Sequence, residues 1–356
     1  MQSRHALVTV ASLVVAFLLG GMVAMQAHIN GRLASELGAG LTGAAVASMI
    51  SFGSGFVLLC LICGLTPSGR AGLRRIAVAS RQGRLRPWHL LGGLAGALLI
   101  VAQSVTVATI GVALFTVVLV AGQVSSAMLV DRFGLGPSGT SLVTPGRAAG
   151  AGLAVGAVVL ALSEHLTGAA LLAPAVLLLA LLPLAAGAGV AWQQAVNGQV
   201  SLVGTPFPAA WVNFVVGTVV LTLFLLATLG GATDLNPPPT SWWLYLGGLF
   251  GVTFISSAAI LVRVLGVLVF GLAAIAGQVI TALVIDLALT DLAVGPLTFS
   301  GAGLTLIGVA VAALASRPRS GPPSGPPSGS PSGPRSGPSS GRETDPRDAS
   351  RSEHLQ

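Results

Sequence analysis

The sequence predicts an all-α integral membrane protein with ten transmembrane helices, which form two inverted repeats of five helices each. Three observations support this fold class: an apolar composition, apolar runs of membrane-spanning length, and motifs that occur once in each half of the chain. Hydrophobic residues make up 53% of the 356 and charged residues only 8%, whereas about a quarter of a soluble globular chain is charged. The protein is therefore expected to lie in a lipid bilayer.

The apolar runs divide into ten segments at charged residues, at proline and glycine clusters, and at plausible span lengths. The first run, from Ala6 to Met25, carries no charge and is longer than the ~7–15-residue apolar core of a signal peptide, so a retained span is expected. Little polar sequence separates neighbouring helices near Gly111 and Arg263. The helices are predicted to begin near Ala6, Leu41, Trp88, Val112, Ala148, Gly168, Pro208, Trp242, Gly266 and Leu297.

Arginine supplies all seventeen basic residues, and its distribution predicts the orientation of the chain. Six arginines lie between the second and third predicted helices, whereas the opposite side of the membrane holds only Arg32. Because positively charged loops stay in the cytoplasm, both termini are predicted to be cytoplasmic. No aromatic residue is interleaved with the six arginines, so no nucleic-acid partner is expected. The six are Arg70, Arg74, Arg75, Arg81, Arg84 and Arg86.

Several motifs occur twice along the chain. The decapeptide GQVSSAMLVD (residues 122–131) has a near copy 155 residues later, GQVITALVID (residues 277–286). Under the same shift GGLAG falls on GGLFG, while QAHING matches QQAVNG and SFGSG matches NFVVG at other offsets. The chain is therefore predicted to hold two homologous halves, residues 1–164 and 165–316. Because each half has an odd number of helices, the second half crosses the membrane in the opposite sense, as in many secondary transporters.

The last segment, residues 317–356, has a different composition. Proline, serine and glycine dominate it, and glycine recurs at every fourth position from Gly321 to Gly341. Collagen needs glycine at every third position, so a triple helix is excluded. The segment is predicted to be a disordered cytoplasmic tail.

The residues that could carry transport are polar side chains inside spans that both halves share. An amide both donates and accepts hydrogen bonds, so a path lined by amides suits a neutral or zwitterionic solute better than a bare ion. The same side chains could instead hold helices together, and both interpretations stay open. The candidate pairs are Gln26 with Gln193, Asn30 with Asn197, Ser51 with Asn213, and Gln123 with Gln278.

Three titratable residues complete the candidate set. His28 lies inside a predicted span and could exchange protons; the alternative is a neutral, hydrogen-bonded group near the interface. Asp131 and Asp286 follow the repeated glutamines by eight residues, about 12 Å along a helix, which places them at opposite membrane faces. There they are expected to cap helices, to act as gate partners, or to pair with neighbours such as Arg132. No carboxylate lies near the middle of a predicted span, which argues against cation antiport through a carboxylate.

Taken together, these motifs resemble the YdcZ family of bacterial inner-membrane proteins, which belongs to the drug/metabolite transporter superfamily. The resemblance rests on the ten spans, the two QxxxNG segments, SFxxG with NFxxG, and the two GQ…D segments, and it extends from about Ala6 to Ser316. It implies a five-plus-five inverted-repeat fold of the EamA type, a place in the bacterial plasma membrane, and an exporter function.

We expect a secondary transporter that exports a small organic metabolite or drug-like solute by alternating access of the two halves. Its expected partners are that solute and the lipid bilayer, and a homodimer stays open. An enzyme is not expected, since no pattern brings together a nucleophile, a base and oxyanion donors. Neither a metal cluster nor an ATP-binding motif is recognisable, so no cofactor or metal is expected. The alternative function is a non-transporting membrane scaffold or sensor that acts through the arginine-rich loop or the tail.

Overall fold

The computed structural model describes residues 2–38, 40–137, 139–140, 143–163, 174–230, 235–265, 267–290 and 294–314. Within these ranges the long elements are all α-helices and no strand occurs. The helices are α1 (Gln2–Leu37), α2 (Leu41–Leu65), α3 (Pro67–Arg81), α4 (Gly93–Arg132), α5 (Pro145–Ser163), α6 (Pro174–Gly204), α7 (Pro206–Thr228), α8 (Gly247–Leu265), α9 (Val267–Leu289) and α10 (Pro296–Leu314). Short 3-10 helices, Pro87–Gly92 and Trp242–Tyr245, precede α4 and α8.

Seven helical stretches in the described ranges are long and apolar enough to cross a membrane. The longest, Pro87–Arg132, has 46 residues, more than twice the roughly 20 that one span requires. Gly111 divides it, with a φ of 79° and a ψ of 166°, and this break coincides with the predicted boundary between the third and fourth helices. We call residues 93–110 α4a and residues 112–132 α4b. If the stretch broken at Gly111 is counted as two helices, the two shorter apolar helices, Gly247–Ala258 and Pro296–Ala312, bring the apolar helices of the described ranges to ten.

The arginine-rich segment after α2 is helical, so the prediction of a loop there is wrong for residues 67–81. Thr66 begins α3 because its hydroxyl oxygen accepts a hydrogen bond from the Gly69 N–H at 3.1 Å, and Pro67 occupies the first helical turn, where its missing N–H costs nothing. The buried residues of α3 recur at spacings of three and four, and the arginines occupy its exposed face. The buried set is Gly69, Gly72, Ile76 and Ala79. This amphipathic pattern is a helical signal in the sequence, which the prediction from charge alone did not use.

Other predicted boundaries differ by a few residues from those observed. The third helix begins at Gly93 rather than Trp88, because the 3-10 helix precedes it. The boundary predicted near Arg263 falls inside α8, which continues to Leu265, and α9 begins at Val267. The predicted start of the sixth helix near Gly168 and the tail after Ser316 lie outside the described residues.

The helix α4 is central to the bundle. In its most apolar window 78% of the residues are buried, against 39% or less in the other membrane-length helices of the described ranges. Phe115 of α4b is fully buried in the largest apolar cluster, which α1, α6 and α9 complete. Because most residues of α4 are buried, whichever side of the helix they lie on, no amphipathic periodicity marks this segment in the sequence.

The most extensive helix contacts join the two predicted halves: α4 packs on α6, α5 on α10, α1 on α9 and α2 on α7. Glycines allow two of these crossings to be close. A Cβ atom placed on Gly122 of α4b would overlap the backbone of α6, and one placed on Gly187 of α6 would overlap the backbone of α4b. In the same way, a Cβ atom on Gly20 of α1 would overlap the backbone of α9, and one on Gly277 of α9 would overlap the backbone of α1. Small residues at a crossing let two helix backbones approach, so these glycines permit the close crossings of α4b with α6 and of α1 with α9.

Contact between α2 and α7 is reciprocal. The rings of Phe52 and Phe214 are stacked, with centroids 4.3 Å apart and planes 25° apart. A Cβ atom on Gly55 would overlap the Phe214 ring, and one on Gly217 would overlap the Phe52 ring. Each phenylalanine therefore lies over the glycine that follows the other phenylalanine by three residues.

Candidate functional site

Four buried polar side chains come together where α1, α2 and α4a meet the start of α8; we call this group the α1 amide cluster. Gln26 Nε2 donates to the Gly247 carbonyl oxygen at 2.7 Å, which fixes α1 to α8. Asn30 Nδ2 donates to Gln103 Oε1, also at 2.7 Å. The four members are Gln26, Asn30, Ser51 and Gln103, and each is at most 6% exposed.

Three atoms of this cluster have no hydrogen-bond partner among the described residues: Asn30 Oδ1, Ser51 Oγ and Gln103 Nε2. A Cβ atom on Gly247 would lie 2.6 Å from Asn30 Oδ1 and would overlap Ser51 Oγ. Asn30 Oδ1 and Ser51 Oγ therefore fit at this position because Gly247 has no side chain. Because a buried polar group without a partner costs about 1–3 kcal/mol, such a group in a membrane span marks a place where a ligand or water can bind.

A second group, the α6 amide cluster, lies where α6 and α7 meet the start of α4a. Gln193 Nε2 donates to Asn213 Oδ1, and Asn213 Nδ2 donates to Asn197 Oδ1, both at 3.1 Å. A Cβ atom on Gly92 would lie 2.7 Å from Asn197 Oδ1, and one on Gly96 would lie 2.7 Å from Gln193 Nε2. In this cluster two hydrogen bonds link the three amides in a chain.

The structure therefore separates three of the four predicted pairs into two groups, with one member of each of these pairs in each group. Gln26, Asn30 and Ser51 face the GGLFG motif of α8, and their predicted counterparts face the GGLAG motif that begins α4a. Other glycines of the two motifs allow close helix packing, because a Cβ atom on Gly248 would overlap the backbone of α2 and one on Gly93 would overlap that of α7. The counterparts of Gln26, Asn30 and Ser51 are, in that order, Gln193, Asn197 and Asn213.

Gln103 is a member that the repeat comparison did not find. Its counterpart under the 155-residue shift is Ala258, so symmetry gave no signal for it. A single glutamine inside the apolar run of α4a was the only available indication, because a buried amide in a span needs a partner. That partner, Asn30, lies on another helix and could not be read from local sequence.

Gln123 and Gln278 do not join either cluster. Gln278 is buried and Gln123 is half-buried. Neither side chain forms a hydrogen bond with another residue in the described part of the chain. Their role as contacts of a solute stays a prediction.

Asp286 caps the break at Gly111. Its carboxylate accepts hydrogen bonds from the N–H groups of Val112 at 2.9 Å and Ala113 at 2.7 Å. These are the first amides of α4b, where a helix has N–H groups without internal partners and a positive dipole end. A Cβ atom on Gly111 would lie 2.7 Å from Asp286 Oδ2, and the φ of 79° also favours glycine.

Asp131 forms an ion pair with Arg147 at the start of α5, and its side chain is 45% exposed. The suggested pairing with Arg132 is wrong, because consecutive residues of a helix point in different directions. The two aspartates of the repeated motif thus differ: Asp286 bonds to backbone amides and Asp131 to a guanidinium group. Gly266, which corresponds to Gly111 under the 155-residue shift, lies outside the described residues.

His28 is 9% exposed and stacks on Trp243, with ring centroids 6.2 Å apart and planes 6° apart. Its ring forms no hydrogen bond with the residues that the structure describes. Proton exchange by His28 therefore stays a prediction. No group of three or more His, Cys, Asp or Glu side chains in the described ranges could hold a metal ion.

Membrane-length apolar helices that enclose clusters of buried amides are typical of polytopic membrane proteins of the transporter class. A family model described as "Putative inner membrane exporter, YdcZ" matches residues 11–160 and 178–311. The chain belongs to the YdcZ family, which confirms the predicted resemblance, and it is a multi-pass membrane protein. The family is not an enzyme class. Among curated proteins, no sequence matches.

Proposed function

We propose that this protein is a secondary transporter that exports a small neutral or zwitterionic organic solute by alternating access. Membership of an exporter family supports transport in general. The observation that carries the choice of solute is the set of three buried atoms without partners in the α1 amide cluster: Asn30 Oδ1, Ser51 Oγ and Gln103 Nε2.

The chemistry of these three atoms selects the solute class. Asn30 Oδ1 can only accept a hydrogen bond, Gln103 Nε2 can only donate, and the Ser51 hydroxyl can do both. None of the three groups is charged, so a bare ion would lack a counter-charge there. A solute with adjacent donors and acceptors, such as an amide, a polyol or an amino acid, complements the set.

Reciprocal packing supports two inverted halves, residues 1–164 and 165–316. Each half offers amides to the glycine motif of the other half, and each offers a phenylalanine to a glycine of the other. If the halves exchange conformations, a bonded cluster in one half and an open cluster in the other would change roles. In this cycle the α6 amide cluster is the closed one, since its amides bond each other.

The remaining candidates have subsidiary places in this proposal. Gln123 and Gln278 would contact the solute on its path between the clusters, and Asp131 and Asp286 would stabilise the helix ends that act as gates. His28 is the candidate for proton coupling. The arginines of α3 are proposed to lie on the cytoplasmic side, with both termini.

The proposal is tested by metabolite profiling of culture medium. Three strains are compared: one without the protein, one that overproduces it, and one that overproduces the Gln123→Ala, Gln278→Ala double variant at an equal membrane level. A compound that accumulates outside only with the intact protein would support export and the role of both glutamines.

Two further outcomes separate the alternatives. A compound exported equally by the intact protein and the double variant would support export and remove Gln123 and Gln278 from the path. No difference among the strains, together with a phenotype lost on deletion of residues 317–356, would contradict the proposal and favour the scaffold or sensor.

A further inference from the structure

The exposed face of α3 forms a groove with the end of α6. Four arginines line this groove, together with two exposed apolar side chains that lie beside them. Val78 is 40% exposed and Leu202 is 71% exposed. The arginines are Arg70, Arg74, Arg75 and Arg84.

Hydrogen bonds hold three of these guanidinium groups in place. Arg70 Nη1 donates to the Gly64 carbonyl oxygen at 2.6 Å, and Arg75 Nε donates to the Val203 carbonyl oxygen at 3.0 Å. Both carbonyls belong to last turns, of α2 and α6, where a helix has a negative dipole end. Arg84 Nε donates to Gln82 Oε1 at 3.0 Å. A guanidinium group has five N–H donors, so each of these arginines retains donors for a ligand.

No acidic side chain of the neighbouring helices neutralises the groove. The sequence contains neither Asp nor Glu in residues 37–130 or 165–233, which include all of α3 and of the helices α2, α6 and α7 that pack on it. None of the four arginines forms an ion pair with any residue in the described ranges. Four guanidinium groups without acidic neighbours give the groove a positive potential that favours an anion.

We propose that this groove binds the headgroup of an anionic phospholipid. Arginine recognises phosphate through paired N–H donors, and the exposed Val78 and Leu202 offer an apolar surface to the first part of the acyl chains. The chain leaves α2 at Leu65 and enters α3 at Pro67, so the groove begins at the end of a membrane-length helix. This inference does not depend on the proposed transport activity.

The test measures lipid binding to the purified full-length protein in a neutral detergent by native mass spectrometry. The probes are phosphatidylglycerol, phosphatidylethanolamine with the same acyl chains, and soluble glycerol 3-phosphate as a competitor. Wild-type protein should retain phosphatidylglycerol in preference to phosphatidylethanolamine. The Arg74→Gln, Arg84→Gln variant should bind phosphatidylglycerol more weakly, by roughly fivefold for each arginine removed.

The matched control is Arg81→Gln, Arg86→Gln, which removes the same charge from exposed positions of the same segment outside the groove. It should keep the wild-type affinity for phosphatidylglycerol. Equal weakening in both double variants, or in neither, would overturn the proposal. Displacement of the lipid by an equal concentration of glycerol 3-phosphate would assign the groove to soluble phosphates and overturn it too.

A single variant guards against a folding defect. Arg74 is exposed, and its side chain forms no hydrogen bond with the described residues. Arg74→Gln should therefore elute from a size-exclusion column at the same volume as the wild-type protein. Its affinity for phosphatidylglycerol should still fall by roughly fivefold. Unchanged affinity in this well-folded variant would contradict the proposal.

Discussion

Buried polar side chains of the membrane region have two distinct structural roles. The Asp286 carboxylate is fully engaged by backbone amides of α4b, whereas Ser51 Oγ has no partner in the described residues. A bonded group contributes to stability, and a group without a partner costs stability until something binds it. Single substitutions can therefore separate residues that hold the fold from residues that serve function.

Asp286→Ala is expected to destabilise the protein by about 2 kcal/mol or more, because two amides at a buried helix start lose their acceptor. Asp286→Asn keeps one acceptor oxygen and should cost less. The measurement is the thermal unfolding temperature of the purified protein in detergent. Glu36→Ala serves as the matched variant, because the ion pair of Glu36 with Arg32 is solvent-exposed and should contribute about 1 kcal/mol or less. An equal loss in the two alanine variants would contradict the capping role.

Most members of the two amide clusters could be predicted from the sequence as candidate residues, but their hydrogen-bond partners could not. The repeated motifs identified Gln26, Asn30, Ser51 and their counterparts because similar polar motifs occur twice along the chain. That Gln26 faces Gly247, or that Asp286 reaches α4b, depends on helix crossings between residues more than 170 positions apart. No local pattern specifies such a crossing. Gln103 was missed for the same reason.

At the scale of helices, the backbone breaks reveal how the two halves differ. Gly40 begins α2 with a φ of 90°, and Thr205 begins α7 with a φ of 79° and a ψ of 165°. That region of backbone space belongs almost entirely to glycine. The threonine side chain makes no capping hydrogen bond that would compensate. The turn between α6 and α7 is therefore strained, whereas the turn before α2 is not.

Thr205→Gly is expected to raise the stability of the protein by about 1 kcal/mol, because release of the backbone strain exceeds the entropy that glycine adds to the unfolded chain. Thr205→Ala keeps the strain and should leave the unfolding temperature close to that of wild type. The two variants are compared by thermal unfolding under one set of conditions. A lower unfolding temperature for the glycine variant would show that the threonine conformation is not strained.

Helix α3 illustrates what the sequence did not reveal at this scale. Its arginines indicated a cytoplasmic loop through their charge, and charge carries no information on whether a segment is helical. The helical signal lay in four small or apolar residues that pack on α2, α6 and α7. The membrane spans could be predicted as helices from composition, because an apolar segment of spanning length must form a helix in the bilayer.

For the whole molecule, the main feature is that contacts occur in matched sets. Phe52 lies over Gly217 as Phe214 lies over Gly55, and the Gln26 and Gln193 groups face corresponding glycine motifs. Two inverted halves would produce such pairs of contacts, because a pseudo-twofold axis makes every contact occur twice. The inverted arrangement that the repeat in the sequence predicts stays a prediction, and these paired contacts are consistent with it.

Gly55→Ala and Gly217→Ala are expected to destabilise the protein by similar amounts, about 1–3 kcal/mol each, since each added methyl overlaps a buried phenylalanine ring. Gly53→Ala is the matched control, because a Cβ atom there has no heavy atom within 4 Å. Thermal unfolding of the three variants provides the comparison. A large cost at one of the two glycines with none at the other would argue against reciprocal halves.

Transport of a solute through the α1 amide cluster is tested most directly by the pair Ser51→Ala and Ser54→Ala. The Ser51 hydroxyl is buried without a partner in the described residues, whereas the exposed Ser54 donates to the Ser51 carbonyl oxygen at 2.9 Å. The measurement is counterflow, in proteoliposomes, of the compound that metabolite profiling identifies, together with the unfolding temperature of each variant.

The account predicts that Ser51→Ala lowers the counterflow rate roughly tenfold, as expected for one lost hydrogen bond to the solute, while its unfolding temperature stays the same or rises. Ser54→Ala should transport like the wild-type protein. A Ser51→Ala variant that transports at the wild-type rate, or that loses transport and stability together, would contradict the account.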